Sequence, residues 1–347
     1  MSSLWLGMAF LVVVPVAVTL IVGGLYFYVR WNLLDNLLRI FQEKPLFIIP
    51  RGLPRDGAED VEFPTSDGLN LRGCYLRTEA GQRKGVILFG LEFGSSRWSC
   101  QSYCEPLMQA GYDVFAFEPR NQGDSDGMEG YDPLQWVTTY EFRDTQAALR
   151  YLKTRDDADP KGIGFFGISK GANAGLLAAA RDRSIRCIAT DGAFGTYSTM
   201  VPYMRKWVGV YSQKYLTQGL LPIWFYGLVA MAGLKKVQST RRVQFQHIEN
   251  AMPRLKRPLL MIHGSDDSYI KTEMARDVFK RAAGPKAFWV VNGAKHNQAI
   301  HIAGPEYSER VVSFFNLHLA GLEPATVVPE PVEEAPAIGE AVATVPA

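Results

Sequence analysis

The chain has 347 residues, of which 47% are hydrophobic and 21% charged, with a formal net charge of +2. Those proportions fit a folded protein with a substantial core, and the length accommodates one large α/β domain with appendages. The near-balanced charge offers no field for a polyanion, and no Lys/Arg stripe is interleaved with aromatics, so no nucleic-acid partner is expected.

Residues 1–29 carry no charged side chain, and 4–29 are almost wholly apolar. A hydrocarbon core takes about 20 helical residues, so this stretch is long enough to cross one, and residues 1–30 are read as a transmembrane anchor. Trp5 near one end and Tyr26, Tyr28 and Trp31 near the other suit the two interfaces. The competing reading is a cleavable signal peptide, which calls for a basic start, a shorter apolar run and a small-residue cleavage site, none of them evident. Arg30, Arg39, Lys44, Arg51 and Arg55 follow the span and no basic residue precedes it, which favours a cytoplasmic body. Residues 31–55 then read as a juxtamembrane helix and a Pro/Gly-punctuated connector. Leu33, Leu34, Leu37, Leu38 and Phe41 recur at helical spacing there. That face could lie on the bilayer, dock on the domain or pack as an ordinary core helix.

Residues 61–63 and 69–77 read as paired strands around Ser66-Asp67-Gly68. Short apolar runs follow at 85–90, 112–118, 163–168, 186–190, 258–263 and 287–291. They alternate with helical patterns at 97–110, 133–153, 172–180, 272–283 and 306–319. Strands apolar throughout, alternating with helices, predict a parallel sheet covered on both faces, within a domain spanning about 56–320. Between 191 and 258 the alternation stops. Two helical patterns there, 200–215 and 220–234, are rich in Trp, Tyr, Phe, Leu and Val. They are read as a lid over about 195–250, with plain core packing as the other reading. Cys74, Cys100, Cys104 and Cys187 show neither disulfide-framework nor zinc spacing and are expected as small buried hydrophobes. The segment 321–347 is Pro, Ala, Val and Glu without periodicity, the composition of a disordered tail.

The chemistry is concentrated at Gly167-Ile168-Ser169-Lys170-Gly171. An apolar strand precedes it and a small-residue helix follows, which is the context a nucleophile elbow requires. A serine on so sharp a turn adopts strained backbone angles, and side chains two residues to either side would collide with the strand and helix. The turn lifts the Ser169 hydroxyl off the sheet, and the Lys170 N–H at the helix start faces the place where an oxyanion would form. Downstream lie His263-Gly264-Ser265-Asp266-Asp267 and Gly293-Ala294-Lys295-His296-Asn297, each following an apolar strand.

With these motifs, and with Arg120-x-x-Gly123-x-Ser125, the chain resembles the α/β-hydrolase superfamily over about 61–319, especially its serine aminopeptidase-like and dienelactone hydrolase-like branches. The resemblance implies an α/β-hydrolase fold with a mostly parallel central sheet and a helical lid. It implies Ser169 as nucleophile, His296 as general base and Asp267 as the acid that orients it, with no metal or organic cofactor. Asp266 and Asp191 are the competing acids, His263 is expected to be structural, and His247 and His301 have no motif around them. One departure stands out. Where the family usually has His-Gly-x-Gly, this chain has Phe89-Gly90-Leu91-Glu92-Phe93-Gly94. Aligning Leu91-Glu92 with His-Gly makes the Phe93 N–H the second oxyanion donor beside Lys170; a one-step shift gives that role to Leu91 or Glu92. Lys170 is a candidate partner to offset the Glu92 charge. The implied activity is cleavage of an acyl bond in a hydrophobic or lipid-like small molecule, an ester first, with amide, peptide or thioester as alternatives. A catalytically weak binding scaffold at the membrane is the alternative from another class.

Overall fold

The computed structural model describes residues 2–42, 52–211 and 221–323. The expected tail from 324 onward and residues 212–215 of the first lid pattern lie outside the described residues.

Eight strands form one sheet in the order β1-β2-β4-β3-β5-β6-β7-β8. They are β1 (Glu59–Pro64), β2 (Asn70–Leu76), β3 (Gly85–Gly90), β4 (Tyr112–Phe117), β5 (Ile163–Ile168), β6 (Ile185–Asp191), β7 (Leu259–Gly264) and β8 (Lys286–Val291). β1 pairs antiparallel with β2, as does β2 with β4, and every later pairing is parallel. The β1–β2 hairpin closes over Ser66-Asp67-Gly68 as its turn residues indicate.

The inner strands β3, β4, β5 and β7 are buried at every residue because both faces are covered. Val86 and Leu88 of β3 and Phe165 of β5 point into one core, together with α4 (Thr139–Thr154), α5 (Lys170–Ala179) and a later helix (Thr272–Arg281). Ile87, Phe89 and Phe166 point into the other, against α3 (Cys100–Gln109) and a C-terminal helix (Pro305–Phe315). Alternate residues along one strand thus serve opposite layers. All four cysteines are buried and free, as expected.

One boundary moves. The helix expected from 133 begins at Thr139, where Thr138 and Glu141 form a reciprocal capping box. Residues 133–137 are instead a loop, held in part because the Leu134 carbonyl accepts a hydrogen bond from Lys170 Nζ at 2.6 Å.

Between β6 and β7, the described residues include two long helices, α6 (Tyr197–Tyr211) and α7 (Ile223–Arg241). The N-terminal helix α1 (Ser2–Tyr28) runs through one π turn (Val29–Leu33) into α2 (Leu34–Gln42). Leu34, Leu37 and Leu38 of α2 are buried in the same cluster as Met204 of α6 and Phe225, Val229 and Leu234 of α7. Of the readings left open for that amphipathic face, the structure selects docking on the domain. The helical stretch Leu11–Arg39 has a mean hydropathy of 2.2 with only 6% of its apolar window buried, so it is long and apolar enough to cross a bilayer.

Candidate active site

Because β3, β5, β7 and β8 run parallel, their C-terminal ends share one rim, where open α/β sheets gather ligands. The register brings the ends together: Gly90 lies opposite Gly167, and Gly264 opposite Val291. Phe93, Ser169, Asp267 and His296 follow those ends, so residues far apart in the chain meet.

Ser169 sits at φ +51°, ψ −115°, between β5 and the first turn of α5. That conformation is strained for a residue with a Cβ, and it turns the hydroxyl out of the sheet. The flanking glycines are sterically required. A Cβ on Gly167 would come within 2.7 Å of the Ala172 nitrogen, and one on Gly171 within 2.2 Å of the Gly90 carbonyl. The second figure also shows how closely the elbow presses on the end of β3, and therefore on the Leu91-Glu92-Phe93 loop.

Ser169 Oγ lies 2.9 Å from His296 Nε2, and His296 Nδ1 lies 2.6 Å from Asp267 Oδ2. The other oxygen, Asp267 Oδ1, accepts the N–H groups of Tyr269 and Ile270, each at 2.8 Å. Burial opposes the Asp267 charge, but the His296 bond and charge, the Ile270 N–H and His263 outweigh it and hold the carboxyl below its ordinary value. Asp267 is therefore ionised and fixed, the condition under which it can hold an Nδ1-protonated imidazole. Asp266 is exposed, and its carboxylate accepts from the Ser265 hydroxyl at 2.8 Å. Asp191 is buried at the end of β6, where the Tyr307 hydroxyl donates to it at 3.1 Å. Of the three candidate acids, Asp267 is the one on the imidazole. His263 is fully buried, its Nε2 bonded to the Ile270 carbonyl at 2.8 Å, and burial lowers its pKa, so it is a neutral strut for the acid loop.

At the oxyanion side, Lys170 opens α5 and Phe93 follows β3, with the Lys170 ammonium 5.1 Å from the centre of the Phe93 ring. The expected Lys170–Glu92 pair does not form. Lys170 Nζ donates to Glu141 Oε1 at 2.5 Å, beneath the 133–137 loop. Glu92 turns the other way and accepts from Asn297 Nδ2 at 2.6 Å. Sequence spacing had no means of linking Glu141 to Lys170 or Asn297 to Glu92. The Thr138-x-x-Glu141 signature was nevertheless readable as a capping box, and it marks Glu141 as a residue with a fixed position. Arg120, quoted for the resemblance, is completely buried and bonds Asp144 and Asp67, so that segment supports the fold and not the chemistry.

The family profile described as "alpha/beta hydrolase fold" matches residues 88–221, which include the elbow and the loop after β3. Among solved structures, the chain is similar to the Pyrococcus furiosus esterase Pf2001, at 25% identity and a TM-score of 0.55, covering 80% of this chain and 100% of that one. Among curated proteins it is similar to the uncharacterized protein YfhR of Escherichia coli, 26% identical over 276 residues, 77% of this chain and 82% of that one. It is also similar to a thiohydrolase of Eupenicillium brefeldianum, 32% identical over 131 residues, 37% of this chain and 41% of that protein. The strand order, the strained serine between two obligatory glycines and these likenesses agree: the chain has the α/β-hydrolase fold and resembles that superfamily.

Proposed function

We propose that the chain is a membrane-anchored serine hydrolase that cleaves an acyl bond, a carboxylic ester first. The observation that carries this reading is the unbroken line from Asp267 through His296 to the Ser169 hydroxyl, at 2.6 and 2.9 Å. In the first half-reaction, His296 Nε2 takes the Ser169 proton as Oγ adds to the acyl carbon. The N–H groups of Lys170 and Phe93 hold the oxyanion. His296 then returns the proton to the leaving group, and an acyl-Ser169 ester remains. In the second, His296 deprotonates water, which attacks that ester; as the Oγ–acyl bond breaks, His296 returns the proton to Ser169 Oγ and the acid is released. Asp267 keeps its charge throughout and stabilises the imidazolium. No metal or organic cofactor enters this chemistry.

The anchor is α1, and α2 ties it to α6 and α7, which form a lid beside the site. Basic residues follow the span and none precedes it, which supports a cytoplasmic catalytic body. The apolar helices and the tether favour a hydrophobic acyl substrate. A second reading, thioester cleavage, is favoured by the likeness to the fungal thiohydrolase, whose matched segment is of the order of the profile match.

An activated phosphonate probe tests the nucleophile. Labelling of the wild-type chain and none of Ser169→Ala is expected. Equal labelling of both would leave a hydrolase-fold binding scaffold instead. Matched p-nitrophenyl esters, thioesters and aminoacyl anilides of increasing chain length then rank the bond cleaved.

A further inference from the structure

The triad and the oxyanion loop leave one buried carboxyl unexplained. Glu92 is 3% exposed and Asn297 7% exposed, yet their mutual bond at 2.6 Å joins the loop after β3 to the loop after β8. These are the loops that carry Phe93 and His296. Asn297 adopts a left-handed φ of +57°, unusual for a residue with a side chain, which is consistent with a position imposed by what its amide reaches. Two oxygens of the pair, Glu92 Oε1 and Asn297 Oδ1, are buried and have no hydrogen-bond partner. A carboxylate cannot serve either of them, because it only accepts. A carboxylic acid converts one of the orphaned acceptors into a donor, and Asn297 Oδ1 is an acceptor that lacks one.

Resting on the hydrolase reading above, we propose that Glu92 is a proton-carrying positioning residue. Its neutral form locks the oxyanion loop to the histidine loop through Asn297, and loss of the proton releases that lock and places a negative charge beside the forming oxyanion. The groups around it favour the neutral form on balance. Burial pushes the Glu92 carboxyl up to about 7, against the Asn297 bond and the His296 charge. Asp191 at the end of β6 and Tyr103 on α3 also face it, and an ionised Glu92 would repel a negative charge on either. Lys170, the cation expected to offset Glu92, is turned away onto Glu141. The lock thus belongs to the acidic side of neutrality, and the site carries its own alkaline limit.

Two measurements separate this from the reading it rests on. In a Ser169→Ala background, thermal unfolding is followed from pH 5.5 to 8.5 with and without Glu92→Gln. The Gln amide keeps a donor and an acceptor but cannot ionise, so the variant should lose less stability as pH rises and overtake its parent above pH 7. Identical slopes would overturn the proton on Glu92. In the active enzyme, Glu92→Ala should lower kcat at pH 6 by about tenfold or more, since an oxyanion donor loses its fixed position, and the deficit should shrink as pH rises through neutrality and the parent loses the same lock. Glu92→Gln should recover most of that loss at pH 6 and move the alkaline limb of kcat/KM upward by about one pH unit. An unmoved alkaline limb, or a Glu92→Ala enzyme as fast as its parent at pH 6, would overturn the positioning role. If the wild-type chain shows no Ser169-dependent turnover, the hydrolase reading and the catalytic half of this proposal fall together, while the unfolding slopes still decide whether Glu92 holds a proton.

Discussion

Ser169 stands between two buried acid–base pairs of nearly equal length. On one side Asp267 meets His296 at 2.6 Å; on the other Glu141 meets Lys170 at 2.5 Å. Their difference lies in what the base has left over. His296 gives Nδ1 to its acid and keeps Nε2 for the Ser169 hydroxyl. Lys170 directs its ammonium to Glu141 and the Leu134 carbonyl, away from the serine. Glu141 is in turn held by the Thr138 N–H at 2.7 Å, the Thr138 hydroxyl at 2.6 Å and the Tyr131 hydroxyl. Of Lys170, only the backbone N–H is offered to the site. One pair is open at one end and suited to move a proton; the other is closed and suited to hold a helix start in place.

Breaking the open pair should have the largest effect. Ser169→Ala or His296→Ala should remove acyl turnover by a factor on the order of a million, leaving only what binding and the oxyanion site supply. Asp267→Asn should cost about ten-thousandfold in kcat, because the amide supports the wrong imidazole tautomer. Steady-state kinetics on the best ester measures both. Turnover by Asp267→Asn within tenfold of wild type would show that another acid orients His296.

Breaking the closed pair should register mainly as stability. Glu141→Gln leaves the Lys170 ammonium buried without its counter-charge, an imbalance that typically costs about 3–5 kcal/mol. Lys170→Met should cost less, since Glu141 keeps its Thr138 and Tyr131 donors. Urea unfolding should rank the two in that order, with kcat of the folded protein within about tenfold of wild type. Normal stability combined with a collapse in kcat would place Glu141 and Lys170 in the chemistry and erase the distinction between the pairs.

A smaller, pH-dependent effect comes from the carboxyl behind the open pair. Burial pushes Asp191 up to about 7, helped by the charges of Asp267 and Glu92 and opposed by Tyr307 and His296. A folded-state value above the unfolded one means that the folded chain binds the extra proton. Its contribution is complete below the unfolded value near 4 and is lost as pH rises through about 7. Asp191→Asn should therefore flatten the decline in melting temperature between pH 5 and 8. An unchanged decline would assign that proton elsewhere.

Much of this was legible because the inner strands β3, β4, β5 and β7 are buried on both faces. A uniformly apolar run flanked by polar turns admits few alternatives, and the elbow strand is read to the residue, Ile163–Ile168. Asp267 was expected from the resemblance, four residues after His263, and in the structure its Oδ1 accepts the N–H groups of Tyr269 and Ile270. The start of α4 was not legible. Pro133 suits a first helical turn, but the loop behind it is committed to Lys170, a long-range demand that no local pattern encodes. The same holds for Glu92, whose partner Asn297 lies 205 residues away. Spacing along the chain locates what each strand end presents; which neighbour an acid chooses across the rim is decided by packing.

The smallest effect belongs to Asp266, and it sharpens the comparison because it tests position against charge. Asp266 and Asp267 are adjacent, carry the same group and follow the same strand. Asp266 is exposed, with its charge in water and its one side-chain partner the Ser265 hydroxyl. An exposed carboxylate loses little on becoming an amide, so Asp266→Asn should change stability by no more than about 0.5 kcal/mol. Its distance from the imidazole should hold kcat/KM within about twofold, because charges on the solvent side are screened over roughly 10 Å at moderate ionic strength. The measurement is kcat/KM at low and moderate salt for Asp266→Asn beside Asp267→Asn. A salt-insensitive loss in the Asp266 variant approaching that of its neighbour would show that the acid loop can exchange one carboxylate for the other at His296, and that the site is less rigidly built than the paired N–H groups on Asp267 imply.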